Sequence, residues 1–139
     1  VTVAEALLRP TRIYARAVSR LLSACREDVR GLAHVTGGGL VDNVPRMLPA
    51  GSIAVIDLDS YRRPSIFDVL QRGGPVAEEE MRRTFNLGVG LVAAVAPAAT
   101  DRAMEALRAA GEQPWVLGEL QAGDEDAPAV VRFEGDAVR

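Results

Sequence analysis

The sequence predicts an α/β fold in which helices are layered on a single mixed sheet, and three observations carry that reading. The apolar pattern changes repeatedly along the chain, from helical spacing to short continuous runs and back. The helically spaced stretches are amphipathic, so each needs a surface to cover. Residues 89–95 contain almost nothing polar, as expected of a strand buried on both faces. The 139 residues suit one such domain, able to bury about two-thirds of its unfolded surface.

Each element follows from local signals. Pro10 and Thr11 open a helix, with Thr11 of a type that caps N-termini. Ile13, Ala17 and Leu21, joined by Val18, Leu22 and Cys25, then fall on one face at helical spacing. Residues 32–35 form a short apolar strand that stops at three glycines. Residues 43–48 make a short helix closed by Pro49 and Gly51, and residues 53–56 a strand. A helix over 64–71 points Ile66, Phe67 and Leu70 inward and ends at Gly73 and Gly74. Glu78, Glu79 and Glu80 begin the next helix, where acidic side chains complement the helix dipole and need no metal or acid–base role. After the buried strand over 89–95, Thr100 caps a helix through Ala103, Met104 and Leu107 that stops at Gly111. Residues 115–120 and 129–134 are two further strands, joined by the acidic turn at 124–126.

Composition narrows the function. Hydrophobic residues at 48% and charged residues at 25% place the chain among globular proteins and not disordered ones. A net charge of −3 without a basic cluster argues against a nucleic-acid surface. No apolar run is long enough for a membrane span, and no signal segment is expected. The single cysteine, Cys25, excludes an intrachain disulfide and cysteine-based metal cages, and a reducing cytoplasmic location is the default. All sixteen basic residues are arginine, which we read as genome composition. The chain begins with Val1 and runs from Leu7 to Arg9 directly into a helix start, so we expect a segment of a longer polypeptide whose 139 residues form a single domain.

The most informative run is His34-Val35-Thr36-Gly37-Gly38-Gly39-Leu40. Glycines let the backbone take left-handed angles and let a ligand approach the amides. Consecutive N–H groups in such a turn form a concave anion site, as holding a phosphate requires. A flexible turn is the plainer alternative, and neither the Lys-Ser/Thr of a P-loop nor dinucleotide-binding spacing is present. His34 and Thr36 flank the loop, and Asn43 fits either a helix cap or a ligand contact. Arg82, Thr84 and Asn86 alternate before the buried strand and could line one side of a polar ligand, the Arg fork suiting phosphate or carboxylate. Arg12 and Tyr14 flank a core position and read most simply as a surface Arg and a half-buried Tyr, while Asp57 and Asp59 are a weak Mg²⁺ signal.

Taken in order, these motifs are specific. Pro10-Thr11-Arg12-Ile13-Tyr14, Ala33 to Leu40, Asn43-Val44-Pro45-Arg46, Glu80 to Gly90 and Gly111 to Gly118 together resemble the C-terminal half of the aminoimidazole ribonucleotide synthetase family, the phosphoribosylformylglycinamidine cyclo-ligases. The likeness runs from about Leu7 to the last strand. Asp42, Tyr61 and Leu91 stand where Glu, Trp and Met are common, which removes no candidate ligand group. The resemblance implies an enzyme that uses ATP, accompanied by Mg²⁺, to close the imidazole ring of formylglycinamidine ribonucleotide in purine synthesis. It also implies a cytoplasmic homodimer in which an N-terminal domain, absent here, supplies most ATP and metal contacts. By the same likeness, Gly37, Gly38 and Gly39 present N–H groups to a phosphate. His34 and Thr36 orient the reacting formamide, with His34 a proton shuttle, and Asn43, Arg82, Thr84 and Asn86 contribute binding or positioning. No residue of this chain is assigned to a metal. The rival readings are a sister enzyme of the same superfamily and a stand-alone phosphate-ligand-binding domain.

Overall fold

Helices and strands alternate along residues 1–136, the part that the computed structural model describes, and the α/β class holds. Helix α1 (Val3–Leu7) is held by a capping box. Thr2 Oγ1 accepts from the Glu5 amide, and the Glu5 carboxylate accepts from the Thr2 amide at 2.8 Å. None of its residues is buried. Helix α2 (Ala15–Cys25) starts three residues later than a Thr11 cap would set it, and Tyr14, not Thr11, is its N-cap residue. Ile13 therefore precedes the helix and is 84% exposed, while Ala17, Leu21 and Cys25 form the buried stripe.

The remaining strands are β1 (Val29–His34), β2 (Ser52–Asp57), β3 (Leu91–Val95), β4 (Gly118–Ala122) and β5 (Val130–Glu134). They divide into two sheets, which corrects the expected single sheet. β1 pairs antiparallel with β3, and β2 sits between antiparallel β4 and parallel β5. β4 and β5, neighbours in sequence, do not pair with each other. Their acidic connection crosses the start of β2, tied by the Gly51 amide to the Ala127 carbonyl at 2.8 Å and the Gly123 amide to the Gly51 carbonyl at 2.7 Å. With both edges of β2 occupied, β1 and β3 have only each other among the described residues.

Each sheet has its own apolar core. Leu21 and Cys25 of α2 meet Ala99 and Ala103 beside α6 (Thr100–Ala109), backed by Val29, Leu32, Ala93 and Val95 of β1 and β3. Thr100 is the first residue of α6 and not its cap, because Ala99 closes the preceding 3₁₀ turn. The second core gathers Val35, Leu40, Val44, Ala54, Ile56 and Val89. It joins the glycine run to β2 and to the segment entering β3. Helix α3 (Gly39–Asn43) begins at the glycines, four residues before the expected start at Asn43. Helix α4 (Ser65–Gly73) turns Ile66, Phe67 and Leu70 to a half-buried face, and α5 (Glu78–Thr84) anchors itself through Met81, which is fully buried.

Candidate functional site

The glycine run is a shaped backbone feature. Gly38 and Gly39 have φ of 95° and 58°, in the left-handed region that side chains resist. At Gly39 space forbids a side chain as well. An added Cβ would overlap the Arg82 carbonyl oxygen and come within 2.7 Å of the Phe85 carbonyl oxygen. At Gly38 it would come to 2.7 Å from the Asp42 side chain. Gly37 is different, being exposed with nothing within 4 Å of such a Cβ, so the loop is open to solvent there. The N–H groups of Gly37, Gly38, Leu40 and Val41 donate to no acceptor among the described residues. Unpaired amides in a left-handed turn are what an anion requires.

Asn43 explains why the loop keeps this shape. Its side chain is buried, and Nδ2 donates to the Gly39 carbonyl at 2.8 Å and the Gly37 carbonyl at 3.2 Å, with the Thr36 carbonyl at 3.5 Å. The amide is spent on the loop's own carbonyls, leaving the loop's N–H groups turned elsewhere. Asn43 thus fastens the loop from inside, and a direct ligand contact through Nδ2 has no place in this geometry.

His34 and Thr36 alternate with buried Ala33 and Val35, so both stand on the outer face at the end of β1. The Val35 amide bonds the Gly90 carbonyl at 2.9 Å, bringing the start of β3 alongside. Tyr14 packs edge-on against His34 with ring centroids 5.8 Å apart. Its hydroxyl rests where a Cβ on Gly90 would be. Burial pushes the Tyr14 phenol above its ordinary value, outweighing the Arg12 charge, so the ring stays neutral. Sequence reasoning set Tyr14 aside as a half-buried surface residue; its contact with His34 arises only when α2 docks beside β1.

The 82–86 segment forms the opposite wall, and its contact with Gly39 joins the two halves of the site. Arg82 is held twice. Its Nε donates to Glu78 Oε1 at 3.1 Å, and its guanidinium carbon lies 5.0 Å from the centre of the Phe133 ring on β5. The two Nη groups donate to nothing among the described residues. Asn86 Oδ1 accepts from the Gly88 amide at 3.0 Å, closing a turn in which buried Leu87 has φ of 49°. Thr84, the last residue of α5, is exposed. The structure thus brings Arg82 to the glycine loop, gives Asn86 a turn-forming role, and leaves Thr84 unengaged among the described residues.

Behind Arg82 lies a network that the sequence did not disclose. Arg63 has a side chain only 8% exposed and donates to Asp68 Oδ1 at 2.6 Å, Glu78 Oε2 at 3.0 Å and Gln71 Oε1 at 3.0 Å. Burial alone would raise the Glu78 carboxyl, but hydrogen bonds from Arg63, Gln71 and Arg82 hold it below its ordinary value. Glu78 therefore does more than complement a helix dipole, since it couples a buried arginine to the one at the site. A signal existed in the four-residue spacing of Glu78 and Arg82, but nothing local linked Arg63 to them. Asp57 is likewise explained as a turn cap, its Oδ1 accepting from the Asp59 amide at 2.9 Å. Among the described residues no group of three His, Cys, Asp or Glu side chains could hold a metal ion. The loop amides and the Arg82 guanidinium are hydrogen-bond donors, and such a donor set suits an anion.

The chain that carries this loop is matched along nearly its whole length. Residues 1–131 match the family described as "AIR synthase related protein, C-terminal domain". The chain belongs to this family. Its relatives include proteins named phosphoribosylformylglycinamidine cyclo-ligase. That of Sorangium cellulosum is 67% identical over 86% of this chain and 34% of its own length. That of Anaeromyxobacter dehalogenans is 53% identical over 88% of the chain and 35% of its own. That of Symbiobacterium thermophilum is 49% identical over 94% of the chain and 36% of its own. The chain thus spans about a third of the length of the curated relatives it matches.

Proposed function

We propose that these residues are the C-terminal domain of an ATP-dependent cyclo-ligase that converts formylglycinamidine ribonucleotide to aminoimidazole ribonucleotide, and that they form one wall of a cleft completed by an N-terminal domain. The observation that carries the reading is the set of amides at Gly37, Gly38, Leu40 and Val41 that are unpaired among the described residues, in a loop pressed at Gly39 against the Arg82 backbone, in a chain so similar to proteins of that name. In this reaction ATP phosphorylates the formamide oxygen, the amidine nitrogen attacks the formyl carbon, and the oxygen leaves with the phosphate.

The loop amides and the free Nη groups of Arg82 bind an anionic phosphate of the substrate or of ATP, neutralising charge with donors already in place. The hydroxyl of Thr36 hydrogen-bonds the reacting end. His34, accessible and braced by Tyr14, takes the proton released by the attacking nitrogen. Mg²⁺ accompanies ATP on residues outside this chain. The domain alone is inactive, the full-length enzyme is a cytoplasmic homodimer, and its partners are the substrate and ATP.

The test is ADP release by the full-length gene product with formylglycinamidine ribonucleotide and ATP–Mg²⁺. Substrate-dependent ADP formation with aminoimidazole ribonucleotide as product supports the proposal; a folded product that turns nothing over overturns it. In the same assay Arg82→Ala should lose roughly 10- to 150-fold in affinity or rate, as for one charge-assisted hydrogen bond of about 1.5–3 kcal/mol.

A further inference from the structure

Between the two sheets lies a chamber of about 760 Å³, and its walls are strand edges. On one side it is lined by Leu91 to Ala96, the whole of β3, and on the other by Leu117, Gly118, Glu119 and Leu120 at β4. The α6 residues Ala103, Met104 and Leu107 close one end, and Val44 and Met47 also line it. Side chains in a finished core do not leave such a volume, because interiors pack as densely as organic crystals.

The hydrogen-bond register says what is missing. In an antiparallel pair, alternate residues of each strand face the partner. Val35 bonds Gly90, and Ala96 bonds Asp28, so Gly90, Val92, Ala94 and Ala96 face β1. The amides of Leu91, Ala93 and Val95 therefore point away from β1, into the chamber. On β4, the bonds of Asp57 to Leu117 and of Gly123 to Gly51 turn 117, 119, 121 and 123 toward β2. The amides of Gly118 and Leu120 are left on the outer edge. Two edges that are unpaired among the described residues thus face one apolar space, and all of β4 is exposed, with Leu120 49% accessible and Val116, just before the strand, 57%. Exposed apolar edges of this kind are templates for a further strand.

We infer that an extended, apolar segment from the rest of the longer polypeptide inserts between β3 and β4 and joins the two sheets into one. The occupant is assigned to that polypeptide because the relatives, up to 67% identical here, are about three times as long as the matched region, and the family description places this region at their C-terminal end. The inference rests on family membership and on the edges, not on the cyclo-ligase reaction.

Amide hydrogen exchange tests it. The 139-residue chain is compared with a chimera in which these residues replace the matching third of the Sorangium cellulosum protein. The amides of Leu91, Ala93, Val95, Gly118 and Leu120 should exchange at least ~100-fold more slowly in the chimera. Ala93→Pro or Leu120→Pro in the chimera removes one outward donor without touching an existing ladder bond, and should abolish protection on the facing edge. If the chimera fails to fold, the Sorangium protein itself is read at the aligned positions. Equal, fast exchange in both proteins overturns the inference. So does protection in the isolated chain that rises with its concentration, which would make a second copy the occupant.

Discussion

Replacing Gly39 by alanine should unfold the site while the same change at Gly37 leaves the fold alone, although both glycines belong to one run. At Gly39, φ of 58° puts an L residue in the left-handed region, at a cost of about 1–2 kcal/mol. The new methyl also overlaps the Arg82 carbonyl and meets the Phe85 carbonyl at 2.7 Å, and these are backbone atoms that no rotamer change can move aside. Forcing an extra methyl into such packing costs a further ~1–3 kcal/mol, so the total is about 2–5 kcal/mol. At Gly37 an added methyl meets nothing within 4 Å, and the change should stay within ~0.5 kcal/mol. Urea unfolding reads both through the midpoint at constant slope. In the full-length protein, Gly37→Ala should instead weaken phosphate-ligand binding, because the methyl projects into the open side of the loop. Similar stability for the two variants would refute the claim that α5 is pressed against the loop at Gly39.

Asn43→Ala should cost about 1–3 kcal/mol, because the buried Gly39 carbonyl and the partly buried Gly37 carbonyl lose their side-chain donor, and should also weaken ligand binding; unchanged binding would show that the loop keeps its shape without the clamp. Arg63→Met should destabilise by ~1.5–3 kcal/mol in thermal or urea unfolding and loosen Arg82, so that a stable variant with intact activity would deny the network its positioning role. Acid should weaken the fold through Glu78. Its carboxyl is held below the ordinary value, so its contribution is complete above the unfolded value and is lost as pH falls through the lowered one. Glu78→Gln should therefore flatten the acid limb of a stability–pH curve, and an unchanged limb would assign that limb to other carboxylates.

Local sequence carried much of the architecture. The 3.6-residue spacing of Ala17, Leu21 and Cys25 specified the buried stripe of α2, and the apolar run before Ala96 specified β3, since these patterns report what each segment must bury. Gly38 and Gly39 announced an unusual backbone, because glycine takes left-handed angles without strain, and the ordered motifs announced the family. The start of α2 was misread because Thr11 is a good cap type, yet the chain stays non-helical through Ile13, and Tyr14, packed against His34, is the cap. Helix α1 was missed because its residues bury nothing and leave no amphipathic signature, although Thr2 and Glu5 spelled out its capping box.

The sequence by itself determined the element types, the glycine loop and the chemistry available to it, since these depend on backbone freedom and on side-chain spacing along one segment. Tertiary structure alone decided that Asn43 faces the loop carbonyls, that Arg63 reaches Glu78 and through it Arg82, and that β3 and β4 end with unpaired edges across an apolar gap. Those relations join residues far apart in sequence. Hydrogen bonding and burial act on distance in space, and local periodicity holds no record of which distant segment arrives there.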